Sequence, residues 1–260
     1  MAGTLELANG RVWYDQQGQG EPVVLLHGGA VDSRFFDHNV GTLAERFRVI
    51  RTDLWGHGRT ADREGPFSLE SFATDVAELI ERVAGGPAHV VGHSIGAAVA
   101  LILALRRPEL VRRMAQVSGG FRTDAEIGGG NRSIDEMVAQ TVAFLGPTYG
   151  EVSPDGEAHF PVVVRKDFEL SAREPNLTVD EVAATSVRTL VMAADDDITM
   201  LEHMLELYRA IPDSELAIVP GTSHFMLQEK PALCNAILVD FLANDPVPTV
   251  APIRRARSHG

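Results

Sequence analysis

Short apolar runs alternate with longer helical patterns along most of this chain, and this alternation constrains the fold more than any other feature. Several of the short runs, such as Val23–Leu26, are apolar at every position, which is typical of parallel strands buried on both faces. Seven runs are predicted to be strands: Arg11–Tyr14, Val23–His27, Arg48–Asp53, Ala88–Gly92, Arg113–Ser118, Thr189–Ala194 and Glu215–Pro220. Together they indicate a mostly parallel sheet.

The segments between several of these strands carry apolar residues at helical spacing. In one of them Phe72, Val76 and Leu79 fall on a single helix face. The predicted helices are Ser71–Val83, Ala97–Leu105, Leu201–Ala210 and Pro231–Leu242. Strands that alternate with helices of this length predict β-α crossovers and an α/β fold.

One region interrupts the alternation. Between Gly119 and Val187 no run has the composition of a buried strand, and Gly128–Gly130 is followed by a helical pattern over Ile134–Phe144 and then by several prolines. We interpret residues 119–187 as an inserted cap of helices and loops. The predicted organisation is a core of residues 1–118 and 188–245, the cap, and a flexible tail over residues 246–260.

Composition narrows the class of protein. A formal net charge of −13 over 260 residues disfavours nucleic-acid binding, because phosphate contacts require clustered Lys and Arg. The basic cluster Arg254–Arg257 lies in the predicted tail, where we interpret it as a solvated end. Cys234 is the single cysteine, so neither an intrachain disulfide nor a cysteine metal cluster is possible.

The N-terminus shows neither a basic start nor a long apolar run, and no stretch approaches the length of a membrane span. We expect a cytoplasmic protein whose partner is a small-molecule substrate rather than a nucleic acid or a membrane. The sequence leaves the oligomeric state open.

A glycine-flanked serine stands at one of the predicted strand-to-helix boundaries. Gly92-His93-Ser94-Ile95-Gly96 follows the apolar run Ala88–Val91 and precedes an alanine-rich helical stretch. A sharp turn at such a boundary lifts a serine hydroxyl off the sheet, where a histidine can reach it. We therefore predict that Ser94 is a nucleophile, and that its small neighbours serve the tight turn.

A serine nucleophile requires a base, and His224 has a suitable position. It follows the run Leu216–Pro220, so it lies in the loop after a late strand. The elbow topology requires the chain order serine, acid, histidine. The histidines before Ser94 have the wrong order or lie too close to it, and the other later ones fall in cap, helix or tail patterns.

Three adjacent aspartates, Asp195, Asp196 and Asp197, directly follow the predicted strand Thr189–Ala194. A carboxylate at this position would hold the imidazole of the base in the required tautomer. Adjacent carboxylates repel one another, so we do not expect all three to face the site. We predict Asp197 as the acid and keep Asp196 as the alternative.

An oxyanion hole requires two N–H groups, one of them from the residue after the nucleophile. Ile95 supplies that group from its backbone. The strand Val23–His27 runs into Gly28-Gly29-Ala30, and Gly29 would bring a second N–H close to the substrate without a side chain in the way.

These motifs, together with Asp53-Leu54-Trp55-Gly56-His57-Gly58-Arg59, resemble the α/β-hydrolase superfamily. The resemblance runs from about Val23 to Ser118 and from Thr189 to Phe241, and it leaves the cap unmatched. It implies a mostly parallel eight-stranded sheet with helices on both faces. It also implies nucleophile, acid, base and oxyanion roles for Ser94, Asp197, His224 and the backbones of Gly29 and Ile95.

The segment Asp53–Arg59 is a structural turn in similar hydrolases, and we favour that interpretation over a metal site. Trp55 either packs in the interior or lines a pocket. The glycine spacings match neither a dinucleotide nor a phosphate-binding loop. We expect the protein to require no metal and no organic cofactor.

The predicted reaction is hydrolysis of a carboxylic ester or related carbonyl compound through an acyl-enzyme on Ser94, as in carboxylesterases. Carbon–carbon bond hydrolases, lactonases and cofactor-free haloperoxidases are alternatives with the same side chains, because the cap sets substrate choice. A ligand receptor with slow hydrolysis is the alternative from another class. Five cap residues are expected either to line a pocket or to form the cap's own core: Phe121, Met137, Phe144, Tyr149 and Phe160.

Overall fold

A computed structural model describes residues 1–125 and 132–251. The strands of the described residues are β1 (Ala2–Leu7), β2 (Gly10–Gln17), β3 (Pro22–Leu26), β4 (Arg48–Thr52), β5 (Ala88–His93), β6 (Val111–Val117), β7 (Arg188–Ala194) and β8 (Ser214–Val219). These eight form one sheet in the order β1-β2-β4-β3-β5-β6-β7-β8. β1 pairs antiparallel with β2, and β2 pairs antiparallel with β4, whereas the other neighbours are parallel. The predicted mostly parallel eight-stranded sheet is confirmed.

The strand that the seven sequence patterns missed is β1. Its residues alternate between exposed and half-buried, and only Leu7 is buried, so the segment contains no continuous apolar run. β1 forms a hairpin with β2 in which Leu7 pairs with Gly10. The two loop residues are Ala8 and Asn9, and Gly10 begins β2. An Asn followed by a Gly favours a turn and was the cue available in the sequence.

The α-helices of the described residues are α1 (Asp37–Ala44), α2 (Leu69–Leu79), α3 (Ile95–Arg106), α4 (Ile134–Gly150), α5 (Phe160–Ser171), α6 (Val179–Ala183), α7 (Leu201–Ala210), α8 (Met226–Glu229) and α9 (Pro231–Ala243). A π-helical turn over Ile80–Ala84 extends α2. The four predicted core helices correspond to α2, α3, α7 and α9. None of the described helices is both long and apolar enough to cross a lipid bilayer.

The apolar core lies on both faces of the sheet. Along β3, Val24 and Leu26 pack into the cluster that includes the apolar sides of α2 and α3, whereas Val23 and Leu25 pack into the cluster that includes α1 and α9. Successive strand residues point to opposite faces, so a fully apolar strand requires helices on each side. The helices on both faces therefore follow from the apolar runs.

Residues 119–187, which lie between β6 and β7, are called the cap segment below. Its described residues form α4, α5 and α6 with connecting loops. Ser133 and Glu136 form a capping box that starts α4, which continues past the predicted end at Phe144 and through Pro147. The rings of Tyr149 and Phe160 stack with centroids 4.6 Å apart and join α4 to α5.

Some sequence features lie outside the described residues. They are the triple glycine Gly128–Gly130, the basic cluster Arg254–Arg257, and residues 252–260 of the predicted tail.

Candidate active site

Ser94 occupies a sharp turn between β5 and α3. Its backbone has φ 54° and ψ −119°, a conformation that costs a non-glycine residue about 1–3 kcal/mol. The Ser94 N–H donates to the carbonyl of Val117 on the neighbouring strand at 2.9 Å. The surrounding sheet therefore holds the predicted nucleophile in a strained turn at the carboxyl end of β5.

The glycines beside Ser94 are explained by the close approach of backbone to backbone. A Cβ atom on Gly92 would collide with the carbonyl of Gly96, and one on Gly96 would collide with the carbonyl of Leu26. Any side chain at either position would push α3 away from the sheet. The glycines of the motif thus serve the tight packing of the turn, as the sequence predicts.

His224 and Asp197 come together from two loops. His224 lies in the loop after β8, and its Nδ1 is 2.7 Å from Oδ1 of Asp197, which lies in the loop after β7. The carboxylate accepts, so Nδ1 carries the proton, and Nε2 of the neutral ring is left as the acceptor. The imidazole therefore has the tautomer that a general base for a hydroxyl requires.

Asp197 is 8% exposed and is held by further donors. The hydroxyl of Ser118 donates to its Oδ2 at 2.5 Å, and the N–H of Thr199 donates to its Oδ1 at 3.1 Å. Burial alone would raise the pKa of this carboxyl, but the hydrogen bonds from His224 and Ser118 hold the pKa of Asp197 below its ordinary value. The residue is thus an ionised carboxylate beside the imidazole.

The other two aspartates of the cluster, Asp195 and Asp196, are exposed and do not contact His224. Oδ1 of Asp195 accepts from the N–H of Thr222 at 3.1 Å, and the N–H of Asp196 donates to the Thr222 carbonyl at the same distance. These two residues tie the loop after β7 to the loop that carries His224. The geometry pairs the histidine with Asp197 rather than with Asp196.

The predicted oxyanion turn lies against the serine turn. A Cβ atom on Gly28 would approach Cβ of Ser94 to 3.0 Å, and one on Gly29 would approach Cδ1 of Ile95 to 2.8 Å. Ile95 is the first residue of α3, where backbone N–H groups have no acceptor within the helix. The structure thus brings together the two segments that carry the predicted N–H donors.

The contacts of Asp167 with Ala30 and His57 were not predicted from the sequence. Asp167 of α5 is 6% exposed, and its Oδ2 accepts from the N–H of Ala30 at 2.8 Å and lies 3.1 Å from Nε2 of His57. Ala30 has φ 58°, a left-handed conformation that costs an alanine roughly 1–2 kcal/mol. The available cue was an aspartate on the apolar stripe formed by Val163, Val164 and Leu170.

His93, within the serine motif, is also positioned for a role that the sequence did not indicate. Its Nε2 lies 2.8 Å from the His224 carbonyl oxygen, and its ring stacks on Phe35 at 4.3 Å. Burial, and secondarily the nearby His224, lowers the pKa of His93 to about 3. The neutral ring therefore donates from Nε2 and holds the loop that carries His224.

A cavity of about 440 Å³ opens over these groups. Gly29, Ser94, Ile95 and His224 line its floor side, and residues of α4 and α5 line the opposite side. Most of its other lining residues are apolar: Ala30, Val31, Phe144, Leu145, Val164, Phe168, Ile198 and Phe225. The four groups therefore face one shared space beneath the cap segment.

The cap aromatics divide between the cavity lining and the main apolar core, which they share with the sheet. Phe144 is 75% exposed and lines the cavity, whereas Phe121 and Phe160 are fully buried in the core. Tyr149 is buried against Phe160 but lines a second cavity of about 490 Å³. The two cavities share five lining residues: Ala30, Val31, Phe144, Leu145 and Phe225. Met137 is half-buried.

The segment Asp53–Arg59 forms a structural turn. The carboxylate of Asp53 accepts from the N–H groups of Ser33 and Arg59 at 2.8 Å each. Trp55 is buried, and its ring packs against Phe67 at 5.0 Å, so it packs in the interior. Over residues 1–125 and 132–251, no three His, Cys, Asp or Glu side chains are grouped so as to hold a metal ion.

Comparison with known proteins identifies the class that this fold and site define. The model of the alpha/beta hydrolase family matches residues 23–237, which is most of the chain. The chain therefore belongs to the alpha/beta hydrolase family. At the level of reaction class it is a hydrolase.

Two relatives and one solved structure cover nearly the whole chain. RutD of Azorhizobium caulinodans, whose name as a carbamate hydrolase is itself provisional, is 29% identical over 88% of this chain and 94% of its own length. The 2-(acetamidomethylene)succinate hydrolase of Mesorhizobium japonicum is 23% identical over 87% of this chain and 90% of its own. A hydrolase from Pseudomonas aeruginosa PA01 superposes with a TM-score of 0.76 at 23% identity, covering 94% of this chain and 98% of its own. The structural likeness concerns the fold.

Proposed function

We propose that this chain is a serine hydrolase that cleaves a small carboxylic ester or related carbonyl substrate through an acyl-enzyme on Ser94. The observation that carries the proposal is the 2.7 Å contact between His224 and Asp197 beside a cavity that Ser94 also lines. A nucleophile, a base and an orienting acid in this chain order are the parts that acyl transfer requires.

The first half of the reaction forms the acyl-enzyme. His224 takes the proton of the Ser94 hydroxyl through Nε2 as Oγ attacks the substrate carbonyl carbon. The imidazolium that forms is stabilised by the ionised Asp197, whose pKa is lowered by its hydrogen bonds. His224 then gives the proton to the leaving group, and the acyl group remains on Ser94.

The oxyanion of the tetrahedral intermediate requires hydrogen-bond donors that are in place before it forms. The N–H groups of Gly29 and Ile95 are our candidates, because the two residues adjoin each other and both line the cavity. In the second half of the reaction, His224 activates a water molecule that attacks the acyl-enzyme, and the same donors stabilise the second intermediate.

The cavity supports a substrate of moderate size with an apolar portion. Its volume of about 440 Å³ is in the range of small-molecule sites, which are commonly 300–1,000 Å³. Phe144, Leu145 and Phe168 of the cap segment contribute apolar surface opposite Ser94. We therefore expect short to medium acyl chains to be accepted.

Carbamates and N-acyl compounds are the second candidate class. This class is favoured by the names of the Azorhizobium and Mesorhizobium relatives, each of which aligns over most of this chain. The same attack by serine applies to both classes, and the leaving group then contains a nitrogen that His224 protonates.

The test is turnover of a panel of p-nitrophenyl esters of increasing acyl length, together with aryl carbamates and anilides. Ser94→Ala is expected to lower kcat by about 10⁴-fold or more without unfolding the protein. Ser71→Ala, a serine of α2, is the matched control and is expected to keep wild-type kcat. A fluorophosphonate probe is expected to label the wild type at Ser94, as read by peptide mass spectrometry.

The outcomes distinguish the role of Ser94, the class of substrate, and an enzyme from a receptor. Near-wild-type ester turnover by Ser94→Ala would overturn the nucleophile assignment. A higher kcat/KM for carbamates or anilides than for every ester would move the substrate to the second class. A single turnover followed by a trapped adduct would favour a receptor.

A further inference from the structure

Asp167 is an ionisable residue on the apolar side of a cap helix. α5 buries Phe160, Val163, Val164 and Leu170 on the same side, and Asp167 is among them with 6% of its surface exposed. A buried carboxylate is unfavourable unless hydrogen bonds or an opposite charge compensate for the lost water. The partners of Asp167 therefore indicate why an acid is tolerated there.

Those partners belong to the other side of the cavity. Oδ2 of Asp167 accepts from the N–H of Ala30, which directly follows Gly29, the proposed oxyanion donor. A Cβ atom placed on Gly29 would lie 3.2 Å from the same oxygen. One oxygen of a cap side chain thus contacts the predicted oxyanion turn.

His57 completes the contact and supplies the opposite charge. Its Nε2 lies 3.1 Å from Oδ2 of Asp167, and its Nδ1 lies 3.2 Å from the carbonyl of Trp55. Both neighbours are acceptors, so the protonated ring, which donates from both nitrogens, satisfies both of them. Burial opposes this charge, but Asp167, the Trp55 carbonyl and Asp53 together outweigh burial and raise the pKa of His57.

The backbone of Ala30 shows why the turn needs a partner. Its φ of 58° is left-handed, which alanine adopts only when surrounding contacts enforce it. The bond to Asp167 is the contact made by the Ala30 N–H. Without it, relaxation of Ala30 would rotate the peptide that follows Gly29 and disturb the turn.

We propose that Asp167 is a positioning residue that holds the Gly28-Gly29-Ala30 turn in the geometry of an oxyanion hole, so that this hole is complete only when the cap helix α5 is seated. The proposal rests on the proposed function. His57 neutralises the carboxylate, which would otherwise oppose a developing negative charge nearby.

The experiment compares three variants of α5. Asp167→Ala is expected to lower kcat for the best ester about 10- to 100-fold with KM within about threefold, because oxyanion donors act mainly in the transition state. Asp167→Asn keeps an oxygen that can accept from Ala30, and it is expected to recover most of kcat. Glu169→Ala removes a charge from the same helix and is expected to behave as the wild type.

A second measurement is independent of turnover. Amide hydrogen exchange at Ala30 is expected to be at least about tenfold faster in Asp167→Ala than in the wild type, because the amide loses its acceptor. In the Glu169→Ala control the exchange rate is expected to stay unchanged. Adding Ala30→Gly to Asp167→Ala removes the requirement for alanine to be left-handed, yet leaves the amide unbonded, so exchange stays fast.

Failure of this proposal is distinguishable from failure of the proposed function. If the wild type turns over esters and Ser94→Ala does not, the function stands. Unchanged kcat together with unchanged Ala30 exchange in Asp167→Ala would then overturn the positioning role. A rise in KM alone would also overturn it, by making Asp167 a substrate contact. Should Asp167→Ala unfold, Asp167→Leu takes its place, because it removes the acceptor while filling the apolar side of α5. Fast Ala30 exchange with lowered kcat in Asp167→Leu supports the role, and wild-type values of both contradict it.

Discussion

The cap segment differs from the loops at the carboxyl ends of the strands in how its residues are held in place. Ser94 directly follows β5 and is bonded to Val117 at the end of β6. Asp197 and His224 lie in the loops after β7 and β8, and these two loops are bonded to each other. The cap segment is built from helices of its own, which contact the core both through buried rings and through ion pairs such as Lys166 with Asp62 at 2.7 Å. The difference indicates that the core presents the proposed reacting groups, whereas the cap segment shapes the space above them.

The contacts between the core and the cap segment include an ion pair at the surface and a buried hydrogen bond. Arg34, in the loop after β3, pairs with Glu151 of the cap segment at 2.7 Å and also with Asp32 of its own loop. The contact of Asp167 with Ala30 differs from this surface pair, because it is buried and reaches the predicted oxyanion turn. Asp167 is therefore a residue of the cap segment whose contact reaches the site formed by the core loops.

The largest expected effect tests whether the core loops alone hold the reacting groups. Asp197→Asn is expected to lower kcat by roughly 10⁴-fold, about 5 kcal/mol of activation free energy, because an amide can hold the imidazole in the wrong tautomer. The measurement is steady-state hydrolysis of the best p-nitrophenyl ester at pH 7.

Asp196→Asn is the matched control, since this neighbouring aspartate is exposed and does not contact the histidine. It is expected to change kcat less than about threefold, as surface substitutions usually do. The reverse ranking of the two variants would contradict the pairing of His224 with Asp197.

The second effect separates the cap residues that pack into the apolar core from those that line the cavity. Phe160→Ala is expected to destabilise the protein by about 3–5 kcal/mol, because Phe160 is fully buried and stacks on Tyr149. Urea unfolding followed by circular dichroism measures the change. Phe144→Ala, at a residue 75% exposed, is expected to stay within about 0.5 kcal/mol of wild-type stability and to alter KM for long acyl chains instead. Equal loss of stability in both variants would show that the distinction is wrong.

The smallest effect concerns the ion pair between His57 of the core and Asp167 of the cap segment. The pKa of His57 in the folded state is raised by Asp167, so the pair stabilises the fold below the unfolded pKa of about 6.5. That contribution is lost as the pH rises through the folded pKa. Asp53 also raises the pKa of His57.

Unfolding free energies at several pH values between about 6 and 9 check this prediction. The wild type is expected to lose its stability advantage over Asp167→Asn as the pH rises. His38→Gln, at an exposed histidine, is the control and is expected to keep the wild-type slope. A constant difference between the wild type and Asp167→Asn across the range would argue against a charged His57.

Much of the fold was accessible from sequence because its signals are local. The run Val23–Leu26 is apolar on both faces, and its side chains pack into two separate clusters. β1 was missed because an edge strand with one buried residue carries little apolar signal. The full length of α4 was missed as well, since its helix continues through Pro147 against the usual preference.

The candidate site also has one part that local sequence signals predicted and another that they did not. The turn at Ser94 is visible in the sequence because a strand, two glycines and a helix are adjacent along the chain. The pairing of His224 with Asp197 is different, because three consecutive aspartates are chemically alike. Their distinction arises from burial: Asp197 turns inward to Ser118, whereas Asp195 turns to the backbone of Thr222.

The amino-acid sequence by itself determined the α/β architecture, the elbow at Ser94 and the order of its partners, because each depends on residues that are neighbours in the chain. Tertiary structure alone decided which aspartate faces the histidine and how the cap segment meets the predicted oxyanion turn. Asp167 and Ala30 are 137 positions apart, and their hydrogen bond exists only after α5 packs over the sheet. Contacts of this kind depend on the packing of whole helices, which no local pattern specifies.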